Sequence, residues 1–215
     1  TLAELHTDCD GVGMLPASAW NALRRDGIAA MDAVRIASHT PHASIQPVQL
    51  AKPQQRQPQP QKFRIILPAW KDTSTALLEQ PDTEALLLPA HTVSTEIPAI
   101  YRDKIYLTLP RFCADEKKLL VWLTQAKALG FSHIVCENVS HLQLGKQSGL
   151  ILHGGMGLNA ANPYCLAFLK EEALQDVILS PELTASQSKT CTGLPIGLYV
   201  YGHQPVMTMR NCPIR

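Results

Sequence analysis

Long apolar runs are missing from this sequence: no stretch approaches the ~20 consecutive apolar residues that a membrane-spanning helix requires. The N-terminal TLAELHTDCDG also lacks the basic-then-apolar layout of a secretory leader. The chain is therefore expected to be soluble and cytoplasmic, with no membrane among its partners. An excess of one charge is missing too. The 19 Lys and Arg against 18 Asp and Glu leave a formal charge of +1, so there is no broad electrostatic footprint for nucleic acid and any RNA contact has to be local. Paired cysteine motifs are absent. The six cysteines (Cys9, Cys113, Cys136, Cys165, Cys191 and Cys212) are scattered, with no CxxC and no His/Cys pair at zinc-finger spacing, which argues against a self-contained structural metal site. In a chain of this size disulfides are the poorer reading of them. HExxH is absent as well, and with it the metalloprotease helix that this motif marks. The chain begins without Met and stops abruptly at Arg215, so it is expected to be a piece of something longer.

What is present suits a globular fold. With 46% hydrophobic and 17% charged residues over 215 positions, the chain can bury a sizeable core. Residues 1–37 read as a helical appendage, in which Ser18 is expected to cap a helix carrying Trp20, Leu23, Ile28, Met31, Val34 and Ile36 as an apolar stripe. Residues 38–62 are rich in Pro and Gln and read as a linker, because so few apolar residues cannot offset the entropy of ordering. Residues 63–215 then repeat short apolar runs: FRIILPA, ALLLPA, KIYLTLP, SHIVCEN, GLILHG, DVILSPE and IGLYVYG. Most are unbroken and do not alternate with polar residues, as expected of strands covered on both faces of a parallel sheet. Helical patterns lie between several of them. One runs from Asp115 to Leu129 with Gly130 as its stop, and another opens at Asn162-Pro163, a cap followed by proline at the first helical position. The expected fold is α/β with parallel strands alternating with helices, TIM-barrel-like and incomplete or distorted, with a doubly wound open sheet as the competitor. Polar or small residues after nearly every strand favour the barrel, whose active sites gather at the C-terminal rim.

The strand ends supply the candidate site residues. HGGMGLN has free backbone N–H groups near a helix start, yet its spacing fits neither a Walker loop nor GxGxxG, and a tight strand-to-helix turn capped by Asn159 or Asn162 is the simpler reading. LSPEL places Ser180 and Glu182 at a strand end. Glu182 is a candidate general base or ligand acceptor, weighed evenly against a carboxylate that merely faces a helix N-terminus. Ser180 lacks a local base and a GxSxG elbow, which leaves a serine hydrolase poorly supported. His133 and His141 read as structural histidines, whereas His153 and His203 sit at strand ends and are candidate substrate-binding residues. Cys113, Cys136 and Cys165 lie in or beside apolar runs and read as small hydrophobes. Cys212 differs: it lies in a polar turn past the last run, where a thiolate is available to a metal.

Three of these segments, LSPEL, HGGMGLNAANPYCLAFL and YVYGHQPVMTMRNCPIR, together resemble the collagenase-like U32 peptidase family, in the family's order and over the last two-thirds of the chain. WNALRRDGIAAM is similar to a helix found before this region in the family's long members. The resemblance implies the later, barrel-like repeat of such a protein, with the N-terminal barrel of the same full-length chain as its partner. It further implies an iron–sulfur cluster in the full-length protein, held by cysteines just after the final turn, and oxygen-independent hydroxylation of RNA or of a small substrate. Cys212 matches the first of those cysteines. A cluster needs about four thiolates, so none is expected in this fragment alone. Asn159, Asn162 and Glu182 are the implied catalytic residues, and His153, Ser180, His203 and Arg210 the implied substrate contacts. Gly155 stands where relatives carry an acid, and His203 where they carry an Arg. Two other readings stay open: a collagenase-like peptidase in which Glu182 activates water, and a non-catalytic scaffold that binds a substrate or partner.

Overall fold

The computed structural model describes residues 13–39, 60–71, 73–113, 115–204 and 207. The linker expected over 38–62 lies largely outside these residues. The chain divides into two compact units at Gln49/Leu50. The first contains helix α1, Ala17–His39, no residue of which is buried. Ser18 falls inside its first turn, and not at the cap as expected. The Pro16 carbonyl caps the helix instead, accepting from the Ala19 and Trp20 N–H groups at 2.9 and 3.4 Å. Trp20, Leu23, Ile28, Met31 and Val34 fall on one side of the helix with Ile36 turned away from them, and all six are exposed.

The second unit is a seven-stranded sheet: β1 (Phe63–Ile66), β2 (Thr83–Pro89), β3 (Ile105–Thr108), β4 (His133–Cys136), β5 (Ile151–Gly154), β6 (Val177–Ile178) and β7 (Ile196–Gly197). Every neighbouring pair is parallel and the spatial order is the chain order. A doubly wound sheet reverses direction partway, so this order decides for the barrel-like alternative. The sheet curls far enough for Arg64 on β1 to bond Asp176, the residue that leads into β6. It forms a half-barrel.

Five helices follow strands in turn: α2 (Thr73–Leu78), α3 (Glu116–Ala128), α4 (Ser140–Ser148), α5 (Pro163–Glu171) and α6 (Ala185–Ser188). Local chemistry sets their ends. Asp115 caps α3 by accepting from the Lys118 N–H at 3.1 Å, and Gly130 follows it at φ +86°, a conformation that favours a residue without a Cβ. In α3, Leu119, Leu123 and Ala126 recur at intervals of four and three and are buried against the outer face of the sheet. Each leucine so buried contributes roughly 2 kcal/mol. Leu86, Leu88, Ile105, Leu107, Ile134 and Leu152 supply the sheet's side of this core.

The inner face differs from expectation. The strands are not apolar on both sides. Ala85, Leu87, Tyr106 and Val135 form a small inner cluster, and Arg64, His133, His153 and Asp176 join it as polar members. Strand β7 also ends at Gly197, earlier than the expected end at Tyr201–Gly202. Leu198, Val200 and Tyr201 are exposed, the last at 94%, because among the described residues no further strand pairs with the outer edge of β7.

Candidate functional site

At the C-terminal ends of β3, β4 and β5 three loops are stitched together around one carboxylate. Glu137 follows β4, and its Oε2 accepts the Gly157 N–H at 2.8 Å and faces the Arg111 Nε at 3.4 Å. The glycines of HGGMGLN are explained by this side chain. A Cβ on Gly155 would lie 2.0 Å from Glu137 Oε1, and one on Gly157 would lie 2.1 Å from the Glu137 carbonyl oxygen. An acidic side chain at position 155 would collide with the carboxylate already there. The rim thus carries a carboxylate after β4 where Gly155 after β5 has none.

Neighbouring bonds hold Glu137 in place. Its own N–H donates to the Nδ1 of buried His141 at 3.1 Å, so the Nε2 of that ring carries the proton. Burial keeps His141 below the ordinary histidine range. Asn138 Nδ2 donates to the Arg111 carbonyl at 3.2 Å, and the Gly155 N–H donates to the Cys136 carbonyl at 2.9 Å. Burial pushes the Glu137 carboxyl above its ordinary value, and the Gly157 N–H and Arg111 only partly oppose it. A carboxylate raised in this way is a stronger base and hydrogen-bond acceptor toward a ligand than an ordinary one.

The residues expected from the sequence fall into two adjoining loops, the interior and the C-terminal segment. An isolated parallel bridge joins Ala160 to Leu179, and the Ser180 N–H donates to the Ala160 carbonyl at 2.9 Å. These contacts set the loop of Asn159 and Asn162 beside the loop of Ser180 and Glu182. Asn159 is exposed and left-handed at φ 49°, closing the 3₁₀ turn Met156–Leu158. Asn162 caps α5, its Oδ1 accepting the Cys165 N–H at 2.9 Å. Ser180 is buried, and its Oγ accepts the Glu182 N–H at 3.4 Å, while Glu182 is exposed. His153 lies on the inner face and not at the rim, and His203 is exposed beyond β7. Arg210 and Cys212 lie outside the described residues.

Glu137 and Arg111 appear in the sequence as rim residues, but nothing there singles them out. The signal was the pair Gly155 and Gly157, which marks a close approach without naming what approaches. As for a cluster, the described cysteines do not offer a donor set. Cys136 and Cys191 are buried, and burial together with Glu137 pushes the Cys136 thiol up to about 12, which keeps it protonated at neutral pH. Among the described residues no three His, Cys, Asp or Glu side chains are grouped to hold a metal ion.

Fold and rim together define the class: a singly wound parallel α/β half-barrel with a carboxylate-centred C-terminal mouth. No protein-family model matches the chain, and no curated protein matches it. Among solved structures the chain is similar to the U32 peptidase Mk0906, at 12% sequence identity over 73% of each chain and a TM-score of 0.47.

Proposed function

We propose that this chain is a barrel-like domain of a U32-type protein that acts in oxygen-independent, iron–sulfur-dependent hydroxylation of RNA, and that the rim around Glu137 meets the substrate. The observation that carries the reading is the pairing of a partly buried carboxylate, raised above its ordinary value by burial, with a guanidinium at the mouth of the half-barrel. A carboxylate acceptor suits the amino group on the edge of a base, and Arg111 suits an adjoining phosphate. Near-neutral overall charge fits recognition through such a local site better than through a basic surface. Asn159 and Glu182 line the same rim in this proposal. Cys212 ligates the cluster together with cysteines supplied elsewhere in the full-length protein, whose N-terminal barrel is the partner.

The test uses the full-length protein, reconstituted anaerobically with iron and sulfide. The expected results are cluster incorporation that falls in Cys212→Ser, and RNA hydroxylation reduced at least about tenfold in Glu137→Gln with the cluster content unchanged. Absence of iron and sulfide from the reconstituted protein would overturn the reading. Gelatin cleavage that disappears in Glu182→Gln would replace it with a peptidase.

A scaffold reading is favoured by a different observation. Asn162 is engaged as a helix cap and Ser180 is buried, so two of the residues expected to face a substrate have structural occupations. Loss of substrate or partner binding with turnover unchanged when the domain is deleted would support it.

A further inference from the structure

Toward the N-terminal ends of the strands, opposite the Glu137 rim, the inner face carries a second polar constellation. Asp176 Oδ2 lies 2.8 Å from His153 Nδ1, and His153 Nε2 lies 2.9 Å from His133 Nδ1. Two neutral imidazoles meet both contacts. Asp176, ionised beside Arg64, only accepts, so His153 carries its hydrogen on Nδ1. His153 Nε2 is then the acceptor, and the hydrogen of His133 is on Nδ1 as well. What remains is a lone pair on His133 Nε2. Its direction is fixed by that bond and by Tyr106, which stacks on His133 and His153 with ring centroids 4.4 and 4.2 Å away.

The surroundings of this lone pair suit a cation. Asp103, two residues before β3, places Oδ1 3.4 Å from His133 Nε2, so two acceptors face one another with no hydrogen between them. That separation matches the edge of a tetrahedron around a first-row divalent ion, with bonds of about 2.0–2.1 Å to nitrogen and about 2.0–2.2 Å to oxygen. The Tyr106 hydroxyl has no hydrogen-bond partner among the described residues, although Tyr106 is only 7% exposed. The charges acting on that hydroxyl are those of Arg64, Glu84, Asp176 and Asp103. Arg64, whose guanidinium lies 4.8 Å over the Tyr106 ring, is shared by Asp176 and Glu84. Three carboxylates therefore stand against one guanidinium, and the excess of negative charge favours a dication over an anionic or neutral ligand.

We propose that His133 and Asp103 bind a first-row divalent cation such as zinc at the N-terminal mouth of the half-barrel, with the Tyr106 hydroxyl bonded to a water on the same ion. An imidazole ligand selects transition metals over magnesium or calcium. A closed structural site uses four protein ligands, so here water fills the remaining positions and the ion exchanges with solvent. The two ligands divide the work. The Asp103 side chain is 82% exposed and meets the arriving ion, whereas the His133 side chain is 13% exposed and already held. His153 and Asp176 support it from behind: the ligand donates its other N–H to an imidazole that is itself anchored on a carboxylate, which raises the basicity of Nε2. The site is independent of the function proposed for the Glu137 rim.

The test titrates the full chain with zinc alone at neutral pH, followed by calorimetry and by nitrogen NMR of protein labelled with ¹⁵N-histidine. Before zinc is added both rings are expected as Nδ1–H tautomers, and one equivalent should move the His133 Nε2 resonance while His153 keeps its tautomer. Affinity should fall at least about tenfold in Asp103→Asn and in His133→Gln, and about tenfold in His153→Gln, where the ligand remains and its support is lost. A hydrogen on His133 Nε2 in the zinc-free protein would overturn the proposal. So would zinc that leaves this resonance in place because it binds cysteines or other histidines. Unchanged affinity in Asp103→Asn would do the same, and this exposed position keeps the test decisive should neither histidine variant fold.

Discussion

Two glycines separated by a single residue make different demands on Glu137. The three atoms nearest a Cβ at 155 all belong to the Glu137 side chain, whereas those nearest one at 157 include the Glu137 backbone carbonyl. Gly155→Ala should cost about 1–3 kcal/mol and recover most of this when combined with Glu137→Ala, because the obstructing group is then gone. Gly157→Ala should cost at least as much and recover little in the same combination. A double-mutant cycle read by urea denaturation checks both outcomes. The contrast also shows why the rim carboxylate could not be found from the sequence. Gly155 and Gly157 announce a close approach, but the approaching group comes from a loop eighteen or more positions earlier, and only the β4–β5 register brings it there.

At the level of elements, the residues with strong local rules were the legible ones. Asp115, Gly130 and the Asn162-Pro163 pair act through their own backbone neighbours, and all of them stand where capping chemistry puts them. The seven strands were legible for a similar reason, since short apolar runs between turn residues have few alternatives in a chain rich in helical intervals. The faces of those strands were not. Arg64, Tyr106, His133, His153 and Asp176 each interrupt or border a run that is otherwise apolar, and in isolation each reads as an ordinary irregularity. Only the curl of the sheet aligns them. Asn162 shows how a cap and a site can be separated by experiment. Asn162→Asp retains an oxygen for the Cys165 N–H and should leave stability nearly unchanged, while Asn162→Ala should lose about 1 kcal/mol. Thermal unfolding reads the cap, and loss of the proposed hydroxylation in Asn162→Asp at unchanged stability would reveal a direct role at the rim.

At the scale of the whole sheet, the Arg64–Asp176 pair ties the first strand to the start of the sixth across the curl. Burial alone would raise the Asp176 carboxyl, but hydrogen bonds from Arg64 and His153 outweigh it and hold the group at about 2. An aspartate lowered in this way contributes stability that is present above its ordinary value of 3.8 and lost as pH falls toward 2, about 2 kcal/mol in all. Asp176→Asn should therefore destabilise the fold at neutral pH by about 3–5 kcal/mol, because Arg64 and His153 lose a buried charged partner. It should also weaken the dependence on pH between 4 and 2, and denaturant midpoints measured at neutral pH and in that acid interval check both effects.

The same pair has a consequence for how the polypeptide is made. Each strand lies beside the one synthesised before it, so as the chain leaves the ribosome every new strand finds its neighbour already in place. Arg64 is the exception, since its partner emerges 112 residues later. Until then its guanidinium waits in water with Glu84, and the nascent sheet stays unlatched. Synthesis halted just short of Asp176 would leave a ribosome-bound intermediate with its early strands assembled and its ends apart, easier for a protease to cut than the released product.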